Sequence, residues 1–303
     1  ATTTNYYNDI SSTATGNTLK TQLRNLITTT HSYNSTYVDC KTPSIVEKTD
    51  GDPENPGNII LFWSGLSIAS TWDNGVSWNR EHVWPQNKSG GLYGESGPGS
   101  DLHHIRPTDP SINSSHNNNP YGIVSTNDYV KTSTANGSII TDNKCKNSIF
   151  EPCDERKGDT ARILFYMLVR YSALDNDSLI NGVATSMEML LDWNKQDPVD
   201  DYEIRRNEAV YEIQGNRNPF IDNSNYANLI WGDNTFSTYY NVNVDYPSDL
   251  CTVAISGSQN TDGKYTGNVT IRVTPKTGYI CENIIDDSTD AVLSNSSVFT
   301  ITN

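Results

Sequence analysis

Glu81 and His82 stand side by side in the stretch "WNREHVWPQN", residues 78–87, and Pro85 follows three residues after the histidine. A carboxylate oxygen is a hard donor, suited to Mg²⁺ or Ca²⁺ more than to zinc. An imidazole beside such an ion, but not bound to it, can take a proton from water. Neighbours on a regular strand point to opposite faces, so both residues serve one site only where the strand ends or twists. Pro85 and the glycine-rich stretch "QNKSGGLYGESGPGS" (86–100) supply such an end. Asn113 is the third candidate. It falls in the first turn of a helix expected to open at Asp109-Pro110, where asparagine is a mediocre helix former and invites a side-chain role. Glu81 and Asn113 are therefore expected to hold a metal ion, with most of an octahedron left for water and phosphate oxygens, and His82 is expected to act as general base.

The elements that must position these residues are legible nearby. "GVSWNREHVW" (75–84) reads as a strand, "DLHHIRP" (101–107) as another, and Asp109 as N-cap with Pro110 at the first helical position. The order is strand, loop, strand, helix. "IILFW" (59–63) is a short apolar run with the look of a buried strand. Helical spacing marks 17–27, 158–174, 186–195 and 200–215, the last capped by aspartate and closed by Gly215. Past about residue 240 the character changes: Val269, Ile271 and Val273 alternate with Thr270, Arg272 and Thr274, the period of a half-buried strand. The expected class is α+β, a mostly helical domain over 1–240 and a small all-β domain over 241–303.

Composition narrows the function. The chain of 303 residues is 35% hydrophobic, a globular composition. Its longest apolar run, "ILFYMLV" (163–169), lies between arginines and is too short to cross a bilayer. The formal net charge of −15 argues, read naively, against a polyanionic partner. The charge is uneven, however: basic residues gather at Arg80, Arg106, Arg156, Lys157, Arg162, Arg205, Arg206 and Arg217, and a local cleft can carry the opposite sign. Five cysteines show no C-x-x-C spacing; Cys145/Cys153 and Cys251/Cys281 are close enough in sequence to bridge. The chain starts at Ala1, as a processed secreted protein or a trimmed chain would.

"NREHVWP", "DLHHIRPTDPSIN", "NPYG", "KGDTARILFYMLVRY" and "WNKQDPVDDYEIRRNEAVYEIQGNRNPFID" together resemble the bacterial endonuclease I family of secreted and periplasmic nucleases, from about Tyr6 to Trp231. That family belongs to the ββα-metal (His-Me finger) nucleases. The resemblance implies Mg²⁺-dependent hydrolysis, with Mn²⁺ or Ca²⁺ able to substitute at the site. It implies DNA and often RNA as substrate, little sequence preference, 5′-phosphate and 3′-hydroxyl ends, and a secreted, cell-surface or periplasmic location. Carried over by position, His82 is similar to the family's general base, and Glu81 and Asn113 to its metal ligands. His104 and Asn118 match polar positions that frame the site, and Gln214, Asn216, Arg217 and Asn218 lie in the "QGNRNPF" signature. With Arg80, the polar residues of this set are expected to bind substrate; Arg106, Arg156 or Arg217 is expected to steady the transition state. Two departures stand out. His116 occupies a position where many relatives have arginine, and the loop 86–100 carries only Lys88 where some place a phosphate-clamping arginine. The tail after 240 falls outside the family pattern and resembles β-rich repeat modules of bacterial surface proteins; no partner is assigned to it.

Two other functions compete. One is a zinc hydrolase built from His82, His104 and His116. The other is a non-catalytic surface protein that keeps the nuclease fold and binds through its tail. Plainer readings also apply to several residues: one of His103 and His104 as a core histidine bonded to a backbone carbonyl, Asn117 and Asn119 as a polar turn, Arg205 and Arg206 in helix-surface ion pairs, and Trp63, Trp78 and Trp193 as core.

Overall fold

Leu19, Leu23 and Ile27, spaced four residues apart, form the buried stripe of the first helix, α1 (Gly16–Thr29). The computed structural model describes residues 5–90, 97–125, 129–134, 137–175, 182–232, 242–259, 265–285 and 292–301. The chain divides into two compact units, 1–234 and 235–303. The boundary expected near 240 falls within 233–241, outside the described residues.

In the first unit, α2 (Pro43–Asp50) precedes a two-stranded antiparallel pair, β1 (Asn58–Ile60) and β2 (Ser67–Ala69). The strand expected over 59–63 is cut short because the chain turns at Gly65, whose φ of 67° is open to glycine at little cost. Phe62 and Trp63 enter the core from that turn. Next come β3 (Asn79–His82), β4 (Ile105–Thr108) and α3 (Pro110–His116). β3 and β4 pair antiparallel, from Asn79 opposite Thr108 to His82 opposite Ile105. Both strands are shorter than the sequence suggests, because residues 102–104 form a turn. A second antiparallel sheet runs in the order β5 (Tyr129–Thr134), β6 (Gly137–Lys146), β7 (Ile149–Glu151).

The axis of the core is α4 (Asp154–Arg170), which is buried at every residue from Lys157 to Val169. A helix buried on all sides must find partners for its polar residues. Arg162 does so through a bidentate pair, Nε to Glu203 Oε1 at 2.7 Å and Nη2 to Glu203 Oε2 at 2.6 Å. Gly158 is required where α4 meets the following helix: a Cβ there would lie 2.0 Å from the Asp197 carbonyl. α5 (Met187–Gln196) is followed by α6 (Asp201–Gln214), which opens on a capping box of Asp200 with Glu203 and closes on left-handed Gly215. Two short helices, α7 (Pro219–Asp222) and α8 (Asn225–Trp231), complete the unit. Arg206, expected in a surface pair, is buried and bonds Asp50 at 2.8 Å and the Ile105 carbonyl at 2.9 Å, which ties α6 to α2 and β4.

The second unit is β-structured. β8 (Cys251–Gln259), β9 (Tyr265–Pro275) and β12 (Val298–Ile301) form an antiparallel sheet with β9 central; β10 (Ile284–Ile285) and β11 (Val292–Ser294) pair separately. Val269 and Ile271 are buried and Arg272 is exposed, as the alternation predicts. Neither suggested disulfide forms; all five cysteines are free thiols. Among the described residues no helix is long and apolar enough to cross a membrane.

Candidate active site

His82 is the last residue of β3, and the chain leaves the ladder immediately after it. This ending lets Glu81 and His82 line a single cavity of about 330 Å³ despite their opposite positions in the strand alternation. Asn79, Pro85, Gln86, Asn113, Ser114, Asn117 and Asn118 complete its lining. Glu81 comes from β3, and Asn113 from α3 directly beyond β4, so the ββα unit alone brings these donors together.

Glu81 is 1% exposed. Its Oε1 accepts a hydrogen bond from His116 Nδ1 at 2.8 Å, and among the described residues its Oε2 is buried without a partner. His116 is itself buried, against the rings of Tyr121 at 4.7 Å and Phe150 at 4.8 Å. Asn113 uses both hydrogens of Nδ2, donating to Asn79 Oδ1 at 2.8 Å and to the Arg80 carbonyl at 3.2 Å. That fixes the amide orientation and leaves Oδ1 as the group Asn113 offers to the cavity. His82 Nε2 lies 3.0 Å from the Gly99 carbonyl. A carbonyl only accepts, so Nε2 carries the hydrogen and Nδ1 is the basic nitrogen of the neutral ring. Tyr37 stacks on the imidazole at 5.5 Å and 19°. Burial lowers the His82 pKa below its ordinary value, against the opposing charge of Glu81, so the ring is neutral at neutral pH.

The sequence pattern of the endonuclease I family matches residues 15–225. The chain belongs to the endonuclease I family. It is 42% identical over 233 residues to the extracellular ribonuclease of Bacillus subtilis (strain 168), covering 72% of this chain and 75% of that protein. It is 41% identical over 247 residues to the extracellular ribonuclease of Bacillus amyloliquefaciens, covering 76% and 79%. Against Endonuclease-1 of Buchnera aphidicola subsp. Baizongia pistaciae (strain Bp) it is 32% identical over 170 residues, covering 54% and 59%. As an endonuclease I nuclease the chain is a phosphodiester hydrolase, and its substrate is nucleic acid.

Of the residues singled out in the sequence, this endonuclease I cavity collects Glu81, His82, Asn113 and Asn118. Most of the others are engaged elsewhere; Arg106 is the exception, its Nε and Nη1 buried without a partner among the described residues. His104, expected to meet substrate, is fully buried with both nitrogens taken by backbone: Nε2 accepts from Trp84 N at 2.8 Å and Nδ1 donates to the Pro98 carbonyl at 2.9 Å. Gln214, Asn216 and Asn218 are also fully buried. Asn218 caps α7 and donates to the Arg162 carbonyl, and Asn216 donates to the Tyr166 hydroxyl. Arg217 is locked by Asp222 and Glu208, each at 2.8 Å from Nη2. Arg156 is bonded to the Phe62 carbonyl and Asp159. The Arg80 guanidinium lies 3.5 Å over Tyr37 and donates to the Tyr37 carbonyl. Arg106 faces Glu81 across the ladder, yet it is 2% exposed and does not line the cavity. The expected substrate contacts through His104, Gln214, Asn216 and Asn218 are thus replaced by internal hydrogen bonds. Among the described lining residues there is no arginine or lysine.

The geometry does not assemble the zinc alternative. His104 has no ring nitrogen left for a metal, and His116, with Nδ1 on Glu81 and Nε2 buried without a partner among the described residues, does not line the cavity that holds His82. Among the described residues, the cluster of metal-ligand types whose donor atoms converge is Asp142, Cys153 and Glu155, which contains none of the three histidines. Both His103 and His104, not one of them, bond backbone carbonyls. Sequence reasoning missed Tyr37 and Gly99, and named His116 only as a departure from the family and as a zinc ligand. His116 stands three residues after Asn113 on α3, the spacing of one helix face, and that signal was available. Tyr37 and Gly99 are distant in sequence, and Gly99 acts through its carbonyl, which leaves no side-chain signature.

Proposed function

We propose that this nuclease is a Mg²⁺-dependent, sequence-nonspecific endonuclease, secreted from the cell, that hydrolyses RNA and DNA to 5′-phosphate and 3′-hydroxyl ends. One observation carries the reading: Glu81, whose buried Oε2 has no partner among the described residues, Asn113 and His82 line one cavity. An orphaned buried carboxylate oxygen is costly unless something binds it. Two neutral or anionic oxygen donors fit a hard divalent ion that keeps several waters, so Glu81 and Asn113 would hold it. When bound, that ion supplies Lewis-acid stabilisation of negative charge on the phosphate and the departing oxygen.

The chain's own residues do the rest. His82 Nδ1 takes a proton from water, and the water oxygen attacks phosphorus. The bond to the 3′ oxygen breaks, that oxygen takes a proton from solvent to become the 3′-hydroxyl, and the phosphate stays on the 5′ side. The Gly99 carbonyl and the Tyr37 ring hold the imidazole in the tautomer and plane that this transfer needs. His116 holds Glu81 by Oε1. Because water is the nucleophile, the ribose 2′-hydroxyl is not needed, and RNA and DNA are cleaved alike at the chemical step. The extracellular ribonucleases among the relatives make RNA the substrate to test first and support secretion. The test is cleavage of RNA and plasmid DNA after chelation and metal add-back, with end analysis. Activity restored by Mg²⁺ with 5′-phosphate ends on both substrates is expected. 2′,3′-Cyclic phosphate on RNA, with DNA untouched, would contradict it.

A further inference from the structure

We infer that Gln214 is a positioning residue for His82, acting through the backbone of residues 99–102; this rests on the reading of His82 as the base. The "QGNRNPF" signature does not reach the cavity, but its first residue reaches the loop that holds the imidazole. The carboxamide of Gln214 is fully buried and satisfied on every side. Its Oε1 accepts from Leu102 N at 2.7 Å and from the Ser35 hydroxyl at 3.0 Å. Its Nε2 donates to Asp101 Oδ1 at 3.0 Å and to Asn216 Oδ1 at 3.2 Å. The Ser35 hydroxyl shares its single hydrogen between Gln214 Oε1 and the Ser100 carbonyl, the latter at 2.6 Å, and the Ser100 hydroxyl returns to the Ser35 carbonyl at 2.7 Å. Asp101 is anchored on its other oxygen by the hydroxyls of Tyr166 and Tyr171, both at 2.7 Å. Residues 100–102 are therefore clamped from both sides.

Gly99 comes directly before this clamp, and its carbonyl receives the His82 Nε2 hydrogen. A glycine has no side chain to fix its own peptide, so the direction of that carbonyl is set by its neighbours. Loosening residues 100–102 frees the Gly99 carbonyl. A freed carbonyl no longer selects the Nε2–H tautomer, and the fraction of His82 with a basic Nδ1 falls. The clamp also needs an amide: one end faces N–H and O–H donors, and the other faces two oxygens, one of them the Asp101 carboxylate.

The experiment uses the full chain with Gln214→Ala, Ser35→Ala and Ser35→Thr, and His82→Ala as reference. It measures single-turnover cleavage at saturating Mg²⁺ and substrate, Mn²⁺ affinity by calorimetry, and the His82 ring-nitrogen shifts by NMR. In Gln214→Ala and Ser35→Ala we expect cleavage at least about tenfold slower, Mn²⁺ affinity within about twofold of the parent, and His82 shifts moved away from the pure Nε2–H form. Ser35→Thr, which keeps the hydroxyl, should restore both rate and shifts. Should Gln214→Ala not fold, Ser35→Ala removes one strut of the clamp and carries the test. Parental rate and His82 shifts in a folded variant would overturn the inference, as would slower cleavage with unchanged shifts. Parental cleavage by His82→Ala would instead overturn the base assignment, leaving the link from Gln214 to the His82 tautomer readable by NMR.

Discussion

His116 Nδ1 and Glu81 Oε1 lie 2.8 Å apart, with neither side chain more than 1% exposed. The histidine occupies one carboxylate oxygen and leaves the other to the cavity, so Glu81 is presented in a single orientation. His116→Ala is expected to raise the Mg²⁺ requirement about 10–100-fold, the usual cost of removing a partner that orients a metal ligand. His116→Gln, which restores a donor, should recover part of it. Calorimetric titration of the two variants checks this; unchanged affinity in His116→Ala would remove the histidine from the metal site.

Folding stability should fall in mild acid. Burial holds the His103 pKa down to about 4 and that of His104 to about 3. Both lie below the ordinary value of about 6.5, so the unfolded chain binds more protons between these limits. The contribution is therefore complete above about pH 6.5 and is lost progressively as pH falls through 4 toward 3. The loss of denaturant midpoint from pH 7 to pH 4 should be smaller in His104→Gln than in the parent, and NMR at pH 5 should show both rings neutral. A protonated His104 ring in the folded protein at pH 5 would contradict the hydrogen bond that its Nε2 accepts from Trp84 N.

Arg162→Leu should destabilise the first unit by about 3–5 kcal/mol, because it strands a buried Glu203 without its bidentate partner. Arg162→Leu with Glu203→Met should recover much of the loss, since two apolar residues leave no charge buried. Chemical denaturation of the single and double variants measures both.

The ββα unit was legible because its signals are local: a proline after the strand, a glycine-rich loop, and an aspartate-proline helix start. So was the grouping of Glu81, His82 and Asn113, which line one cavity. The roles of Gln214, Asn216, Arg217 and Asn218 were not. Their motif is specific, but whether a polar side chain meets substrate or a buried partner depends on contacts such as Gln214 to Ser35, 179 residues apart in sequence. The strand expected over 101–107 failed for a related reason. The Asp101 carboxylate bonds the His103 amide at 2.9 Å, and that local bond favours a turn over a ladder.

A chain ending near residue 240 should remain folded and active, because the described residues that line the cavity lie between 79 and 118. Circular dichroism and cleavage of a short oligonucleotide test this. A folded but inactive fragment would place part of the site in the second unit.

The most direct measurement compares Glu81→Ala with His82→Ala, by calorimetry with Mg²⁺ and by single-turnover cleavage. Glu81→Ala should lose metal binding. His82→Ala should bind metal with nearly parental affinity while its chemical step slows by about 10²–10⁴-fold, the usual worth of a positioned general base. Loss of metal binding in His82→Ala, with binding retained in Glu81→Ala, would reverse the two roles and contradict the proposed site.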